Sequence, residues 1–450
     1  MTAPHWLDDA IFYQIFPDRF ALDLENSALA HSFVPNRDNF YGGTLRGIIR
    51  KLPYLEKLGI NAIYLTPIFQ ADTNHRYDAT DYFKVDPRLG TIEDFRELIA
   101  KAHDKNIRVI LDGVFNHCGF GHPYFQDVIK NGADSEYINW FSVERIPVET
   151  DPYPNYLTCS GCWYLPKWNI YNPLVREHHL SVAQYWLEQG VDGWRLDVPY
   201  FINKNFWREF SALVRSFGKE KYLVAEEWRS PEEWLSPDLM HGTMNYSMRD
   251  MVLAFIADGS IDGYTFAKEM NAFYEDIPTE YRSSMLNLLG SHDTERLMSR
   301  CGDPKKFILT MATMFSCLGA PMIYYGDEVG MKGGNDPECR GAMLFDLENQ
   351  QNQTLKAIQE LCRMRSVSQT LQCGSQYIEA VDSDTIIIFR DRKKERNAAI
   401  VHRGNGTWLD KKFLPLKNIK ALYGVPSILG TEYRLDGKSV LIIAGESIEK

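Results

Sequence analysis

Short apolar runs rich in β-forming residues alternate with helical patterns along most of this chain, and a strand-only texture follows near its end. The alternating runs span residues 10–16, 61–67, 108–114, 191–198, 222–226, 242–246, 286–289 and 322–325. Eight parallel strands separated by helices close into a barrel. The sequence therefore predicts an α/β fold: a (β/α)8 TIM barrel with an inserted small domain after strand 3 and a C-terminal all-β sandwich domain.

Helical patterns fill the intervals between these runs. Thr91 begins the sequence T-I-E-D, which is typical of a capped helix start and predicts a helix over 91–104. A second helix is predicted over 174–188, where Val175, Val182 and Trp186 fall near one face. The uncharged run 307–326 is long enough to suggest a membrane span, but its Thr, Ser, Gly and Pro residues favour a buried helix followed by a buried strand.

Two segments interrupt the alternation. Residues 117–172 are rich in Gly, Pro, Tyr and Asn and lack a long periodic element, and a structureless loop of that length is uncommon inside a compact domain. From about residue 370, short β-rich runs are separated by turn sequences. The predicted division is a barrel over 1–116 and 173–369, an inserted domain over 117–172 and a β-domain over 370–450.

Composition excludes several classes of protein. The chain has 450 residues, 44% of them apolar and 24% charged, which is ordinary for a soluble globular protein. A net charge of −11 without a basic stripe argues against a nucleic-acid partner. The N-terminus lacks a basic start and an apolar core, so we expect a cytoplasmic protein without membrane association. Cys159 and Cys162 form one C-x-x-C, but no second pair completes a metal site.

Polar residues follow the predicted strands, at the end of a barrel where active sites are built. They are Asp112, Asn116 and His117 after the third strand, Arg195 and Asp197 at the fourth, Glu226 at the fifth, His292 and Asp293 after the seventh, and His75, Tyr77, Asp78 and Asp81 after the second. Any one of them is more often structural than catalytic. Together, these carboxylates, histidines and an arginine exceed what a structural barrel end needs.

The fourth strand carries the most specific pair. Period-two alternation puts Arg195 and Asp197 on one face, so we expect the arginine to lower the pKa of Asp197 and keep it ionised. Glu226 lies beside Glu227 and Trp228, and a like charge and an apolar neighbour both favour a protonated carboxyl group. An ionised and a protonated carboxyl group facing one bond suit glycoside hydrolysis.

Four segments in order along the chain are similar to the four sequence regions of the α-amylase superfamily, glycoside hydrolase family 13. They read D-G-V-F-N-H, D-G-W-R-L-D-V, A-E-E-W and L-L-G-S-H-D-T. Five further segments resemble the cyclomaltodextrinase, neopullulanase and maltogenic amylase subgroup: Y-Q-I-F-P-D-R-F, N-H-R-Y-D, L-P-K-W-N, G-A-P-M-I-Y-Y-G-D-E-V-G and G-G-N-D-P-E-C-R. The resemblance covers roughly residues 8 to 370.

The resemblance implies that Asp197 is the nucleophile, Glu226 the general acid/base and Asp293 a third carboxylate that binds sugar hydroxyls. It implies substrate-binding roles for Tyr77, His75, His117, Arg195, His292, Trp228, Lys167, Asn116 and Arg340. Of the inserted segment, Trp163, Tyr164, Lys167 and Trp168 are candidates to touch the substrate.

Three features depart from the subgroup. Pro199, Tyr200 and Phe201 replace its V-A-N-E after Val198, which leaves chain-length preference open. Positions 20–23 and 42–44 read F-A-L-D and G-G-T and lack hard oxygen ligands, so we expect no cofactor and no essential calcium. The chain begins at the barrel rather than with an added N-terminal β-domain, so cyclodextrin preference stays open, as does the choice between monomer and dimer.

The implied function is a retaining hydrolase of α-1,4-glucosidic bonds, with some α-1,6 action, on maltooligosaccharides, cyclodextrins or starch-derived glucans. One alternative is an α-glucan transglycosylase or sugar isomerase that uses the same carboxylates. Another is a non-enzymatic transporter subunit, which typically lacks these carboxylates or carries a membrane span.

Overall fold

The computed structural model describes residues 3–23, 35–36, 38–345 and 352–448. In chain order its first ten strands are β1 (Phe12–Ile15), β2 (Ala62–Leu65), β3 (Phe69–Ala71), β4 (Ala79–Val85), β5 (Arg108–Gly113), β6 (Gly193–Leu196), β7 (Tyr222–Ala225), β8 (Gly242–Asn245), β9 (Leu286–Asn287) and β10 (Ala320–Tyr324). All except β3 and β4 form one closed parallel barrel, in which β10 returns to β1. The eight predicted barrel strands are therefore confirmed.

The described α-helices surround the barrel or lie within its connections. They are α1 (Pro17–Phe20), α2 (Leu45–Leu58), α3 (Ile92–Asp104), α4 (Pro123–Asn131), α5 (Pro173–Glu188), α6 (Lys204–Ser216), α7 (Tyr246–Val252), α8 (Gly263–Asp276), α9 (Leu297–Cys301), α10 (Pro304–Ser316), α11 (Gln353–Val367) and α12 (Gln369–Cys373).

Local sequence signals account for several of these helices. Thr91 and Asp94 form a reciprocal capping box at the start of α3, as its sequence predicts. Helix α5 buries Val175, Val182 and Trp186 on one face. The uncharged run became the buried helix α10 and the buried strand β10. Within the described ranges, no helix is long and apolar enough to cross a membrane.

The antiparallel hairpin β3–β4 between the second and third barrel strands was not predicted. Its turn is stiffened by the buried Arg76, which donates to Asp86 at 3.1 Å and to the carbonyl of Asn74 at 2.7 Å. Arg76 adopts a φ of 62°, a conformation that few non-glycine residues take. This anchored turn carries Tyr77 to the mouth of the barrel.

Residues 117–172 form a compact excursion between β5 and α5. It contains α4 and isolated bridges, of which His117 with Lys167 joins it to the end of β5. Trp168 is 3% exposed and stacks on Phe141 with ring centroids 4.7 Å apart, so it belongs to the local core. Trp163 remains 49% exposed. Contact of either tryptophan with the substrate stays a prediction. The domain boundaries at 117 and 172 stay a prediction.

The remaining strands form two antiparallel sheets. They are β11 (Ser375–Ala380), β12 (Thr385–Arg392), β13 (Glu395–His402), β14 (Thr407–Asp410), β15 (Leu416–Tyr423), β16 (Ser427–Leu429), β17 (Glu432–Leu435) and β18 (Ser439–Ser447). The sheet β11-β12-β13-β18-β15 and the sheet β14-β17-β16 share a core that includes Ile387, Ile400, Leu409 and Tyr433. The predicted C-terminal β-sheets are confirmed.

Two buried arginines, one from the C-terminal sheet and one from α11, bind carbonyl groups near the end of α10. Arg390 of β12 donates to the carbonyl of Ser316 at 3.1 Å, and Arg365 of α11 donates to that of Gly319 at 2.8 Å. Burial lowers the pKa of Arg365 to about 9 and that of Arg390 to about 10. Both values stay above neutral pH, so both side chains are buried cations that donate to carbonyl groups near the end of α10.

Candidate active site

The register of the barrel brings Asp197 and Glu226 together. Leu196 of β6 pairs with Ala225 of β7, and the next residue of each strand is a carboxylate. Both lie at the carboxyl end of the barrel and are nearly buried, Asp197 at 7% and Glu226 at 5% exposure. Two neighbouring parallel strands thus deliver two acidic side chains to one point.

A single guanidinium group organises this point. Arg195 is fully buried, and its Nη1 lies 2.8 Å from Asp197 Oδ1 and 2.9 Å from Asp112 Oδ1. Its Nη2 lies 3.1 Å from Glu226 Oε2. Although burial acts against it, the pKa of Arg195 is raised well above its usual value, since Asp112 and Glu226 favour the cation. One guanidinium cation therefore forms ion pairs with three carboxylates.

This sharing reverses an expectation from the sequence. Burial raises the pKa of Asp197 well above its ordinary value; Arg195 lowers it, and Glu226 and Asp112 raise it further. The prediction of a net lowering by Arg195 is wrong because the arginine neutralises three groups rather than one. Carboxylates this close do not all ionise together near neutral pH, so the set retains a proton. A general acid needs such a proton.

Glu226 is held from two sides. The indole Nε1–H of Trp228 donates to Oε1 at 3.1 Å, and the backbone N–H of Val198 donates to Oε2 at 2.9 Å. Val198 has φ 36° and ψ 52°, which is rare and strained for a β-branched residue. Trp228 in turn stacks on Tyr246, with ring centroids 3.6 Å apart.

The neighbouring Glu227 carboxylate belongs to a different network. It accepts from the N–H of Arg229 at 2.8 Å and from the indole of Trp234 at 2.8 Å. These bonds satisfy its charge within the following turn.

A second chain of contacts connects Asp112 to Asp293. The Tyr77 hydroxyl lies 2.7 Å from Asp112 Oδ2 and 2.5 Å from His292 Nε2, and the two rings stack in parallel. His292 Nε2 is 3.2 Å from Asp293 Oδ2, and Arg340 Nη2 is 3.3 Å from Asp293 Oδ1. The Asp293 side chain is 30% exposed, so this carboxylate faces the open side of the cleft.

The residues that follow β5 form the opposite wall. Asn116 Nδ2 lies 3.2 Å from His117 Nδ1, and both side chains are buried. In the part of the chain that the structure describes, Asn116 Oδ1 and His117 Nε2 have no hydrogen-bond partner. Burial lowers the pKa of His117 to about 4, so its imidazole is neutral near neutral pH. Unpaired buried polar atoms at a cleft are suited to bind a polar ligand.

The other candidates lie further from the carboxylates. His75 is buried beside Tyr77, whose backbone N–H donates to its Nδ1 at 3.1 Å. Lys167 Nζ lies 5.1 Å from the ring of Phe201, and Phe201 and Tyr200 are 40% and 46% exposed just after β6. The structure thus brings Arg195, Asp112 and the catalytic candidates into one network, with Lys167 at its rim.

The sequence analysis did not identify three residues that support the side chains of the site. Tyr64 donates to Asp112 Oδ2 at 2.6 Å, Gln14 Nε2 lies 2.8 Å from His292 Nδ1, and Tyr246 supports Trp228. Tyr64 and Gln14 are polar groups within short, otherwise apolar barrel strands. That position is itself a signal, because a polar side chain inside a buried strand needs a partner.

Potential metal ligands were sought in the described part of the chain. Among the residues with described positions, no group of three or more His, Cys, Asp or Glu side chains could hold an ion. Asp23 lies in the segment 20–23, where the sequence departs from the calcium loop of the subgroup. Its carboxylate forms ion pairs with Arg50 at 3.0 Å and with Arg46 at 3.4 Å.

Comparison with known proteins gives concordant matches. The model of the alpha amylase catalytic domain matches residues 14–369. A cyclomaltodextrinase of Geobacillus thermopakistaniensis is 40% identical over 412 residues, 90% of this chain and 70% of that protein. An intracellular maltogenic amylase of Bacillus subtilis is 41% identical over 376 residues, 82% of this chain and 63% of that protein.

A solved structure matches at full length. The ligand-free cyclic α-maltosyl-(1→6)-maltose hydrolase of Arthrobacter globiformis is 51% identical, with a TM-score of 0.93 over 99% of this chain and 100% of that one. The family model spans most of the barrel and every catalytic candidate. This chain belongs to the α-amylase family of glycoside hydrolases, in the subgroup of cyclomaltodextrinases, neopullulanases and maltogenic amylases.

Proposed function

We propose that this enzyme cleaves α-1,4- and some α-1,6-glucosidic bonds of small gluco-oligosaccharides with retention of configuration, through a glycosyl group bound to Asp197. The observation that carries the proposal is that Asp197 and Glu226 bind two nitrogens of one guanidinium at adjacent strand ends. In retaining enzymes two carboxyl groups about 5–5.5 Å apart serve as nucleophile and as acid/base.

The steps follow from these contacts. Asp197 attacks the anomeric carbon while Glu226 gives its proton to the leaving oxygen; Glu226 then deprotonates the water that releases the sugar. Arg195 fixes the orientation of both carboxyl groups. Asp293 and the neutral imidazoles of His117 and His292 bind hydroxyls of the distorted ring, and Tyr77 stacks on it.

Small cyclic tetrasaccharides such as cyclic α-maltosyl-(1→6)-maltose are the preferred substrate class within this proposal. The support is the relative named for that reaction, which is 51% identical along the whole of both chains. The exposed rings of Tyr200 and Phe201 supply apolar faces on which sugar rings beyond the cleaved bond can stack. The same two rings favour a second candidate function, transfer of the glycosyl group to an acceptor sugar.

The enzyme needs no calcium or other cofactor and acts in the cytoplasm. The charge pairing of Asp23 with two arginines supports the first statement, and the name of the intracellular relative supports the second. A net charge of −11 disfavours a nucleic-acid partner. Whether the chain is a monomer or a dimer is decided by sedimentation equilibrium.

Product analysis tests the proposal. The enzyme is given cyclic α-maltosyl-(1→6)-maltose, β-cyclodextrin, maltotriose, pullulan and starch, with and without a chelator, and products are separated by chromatography. We expect maltose from the cyclic tetrasaccharide, an α anomer by NMR in the first turnovers, and no effect of the chelator. Predominant transfer products would favour the second candidate, and an initial β anomer would exclude retention.

A further inference from the structure

Gln14 is a buried amide that the steps above leave without a role. It lies on β1 and is fully buried, and its neighbours on that strand are Phe12, Tyr13 and Ile15. Its Nε2 is 2.8 Å from His292 Nδ1, and its Oε1 has no partner among the residues that the structure describes. Burying a half-satisfied amide is unfavourable, so an apolar residue would suit the strand better.

The protons around His292 can be arranged in two ways. The Tyr77 hydroxyl contacts both Asp112 Oδ2 and His292 Nε2 but has one proton to donate. If that proton goes to His292, Nδ1 carries the imidazole proton and Gln14 must present its oxygen. If it goes to Asp112, Nε2 carries the imidazole proton, Nδ1 accepts, and Gln14 presents its NH2 group.

The surrounding acceptors select the second arrangement. Asp112 is a buried carboxylate, and donation from Tyr77 adds to the donation it receives from Tyr64 and Arg195. Asp293 Oδ2, 3.2 Å from His292 Nε2, is a second acceptor that favours a proton on this nitrogen. Nδ1 must then be an acceptor, and the NH2 group of Gln14 is its donor.

The imidazole is neutral, so its tautomer has to be chosen. Burial, together with the cations of Arg340 and Arg195, lowers the pKa of His292 well below its usual value. A neutral imidazole carries its proton on the nitrogen opposite the one that accepts a hydrogen bond. A donor at Nδ1 therefore determines that the imidazole proton is on Nε2, which faces the Tyr77 oxygen at 2.5 Å and Asp293 Oδ2 at 3.2 Å.

We propose that Gln14 is a positioning residue that holds His292 in the Nε2–H tautomer, so that this group donates towards Asp293 and a bound sugar hydroxyl. The proposal rests on the function proposed above. Gln14 touches no substrate and acts through His292 alone. The unfavourable burial of its amide is then explained by the requirement for a donor at this position in β1.

Two substitutions test this role. Gln14→Glu is nearly isosteric but replaces the donor with an acceptor, so it should move the imidazole proton to Nδ1 or protonate both nitrogens. Gln14→Met removes the donor and keeps the volume, so both tautomers should coexist. Because one donor to the reacting sugar is weakened, kcat should fall about 10- to 100-fold in each variant, with a smaller change in KM.

Nitrogen NMR of protein labelled at histidine reads the tautomer directly, and the His292→Asn spectrum assigns its signals. Gln376→Met is the matched control: Gln376 accepts from the N–H of Leu318 at 2.6 Å, far from the cleft, and its loss should change neither kcat nor the His292 signals. Circular dichroism and thermal unfolding establish that each variant folds.

The wild type should show a neutral His292 with its proton on Nε2. A wild-type proton on Nδ1 would overturn the proposal, as would Gln14 variants that keep the Nε2–H tautomer and a kcat within about 2-fold of wild type. The NMR measurement needs no substrate. If the wild type hydrolyses no α-glucan, the proposed function fails while the tautomer result still decides the effect of Gln14 on His292.

Discussion

Asp327 makes the stability of this enzyme depend on pH in an unusual direction. It follows β10, is 2% exposed, and lies 3.1 Å from Arg296 Nη1. Burial raises the pKa of Asp327 to about 7; Arg296 lowers it and the adjacent Glu328 raises it. The folded enzyme therefore keeps a proton on Asp327 at pH values where the unfolded chain has lost it.

The sign and size of the effect follow from proton linkage. The folded state binds the proton more tightly than the unfolded state, whose pKa is near 3.8. This contribution to stability is therefore complete at low pH and is lost as the pH rises through about 7. Between about pH 5 and about pH 8 the loss from this one group amounts to about 2–3 kcal/mol.

Urea unfolding of the wild type and of Asp327→Asn at the two pH values isolates this contribution. Arg296 keeps carbonyl acceptors at Tyr325 and Cys339 in the variant, so we expect it to fold. The loss of stability between the two pH values should be smaller in Asp327→Asn by about 2–3 kcal/mol. The control Asp436→Asn, at an exposed position, should behave as the wild type. An equal pH dependence in wild type and Asp327→Asn would refute the reasoning.

Three further predictions concern other parts of the chain. Asp197→Asn should fold normally and retain less than about a hundredth of the wild-type kcat/KM; a higher value, measured after repurification to exclude contamination, would remove Asp197 from the nucleophile role. His117→Asn should lower kcat/KM without changing the shape of its pH profile above about pH 5, because the pKa of His117 is about 4; loss of an acidic limb in that range would contradict this. Arg390→Met removes the donor to the carbonyl groups of Ser316 and Gly374. It should lower the free energy of unfolding, measured in urea, by about 1–3 kcal/mol and leave kcat unchanged. Unchanged stability would show that Arg390 does not stabilise the contact between β12 and the end of α10.

Periodicity and turn signals predicted the barrel, because each strand is short, apolar and bounded by helices. They did not predict β3–β4, since its turn is stabilised by Arg76 pairing with Asp86 rather than by a local turn sequence. The strands β14–β17 were also missed. Most of β15 and all of β16 are exposed and lack an apolar alternation, and β14 and β17 have only four residues each.

The candidate site was predictable where the residue type itself suggested chemistry, as for Asp197 and Glu226. The pKa of Asp197 was not predictable in the same way, because Asp112 and Glu226 share Arg195 with it. This sharing depends on the register of the three strands β5, β6 and β7. Likewise Trp168 is an aromatic residue whose burial follows from tertiary packing alone.

Covalent trapping tests the central claim most directly. The enzyme is incubated with a fluorinated α-glucosyl fluoride, which slows release of the sugar more than its attachment, and digested for peptide mass spectrometry. We predict one glucosyl adduct, on Asp197, that is absent in Asp197→Asn. An adduct on Glu226 or Asp293 instead, or full turnover with an initial β-anomeric product and no adduct, would contradict the assignment of Asp197 as the nucleophile.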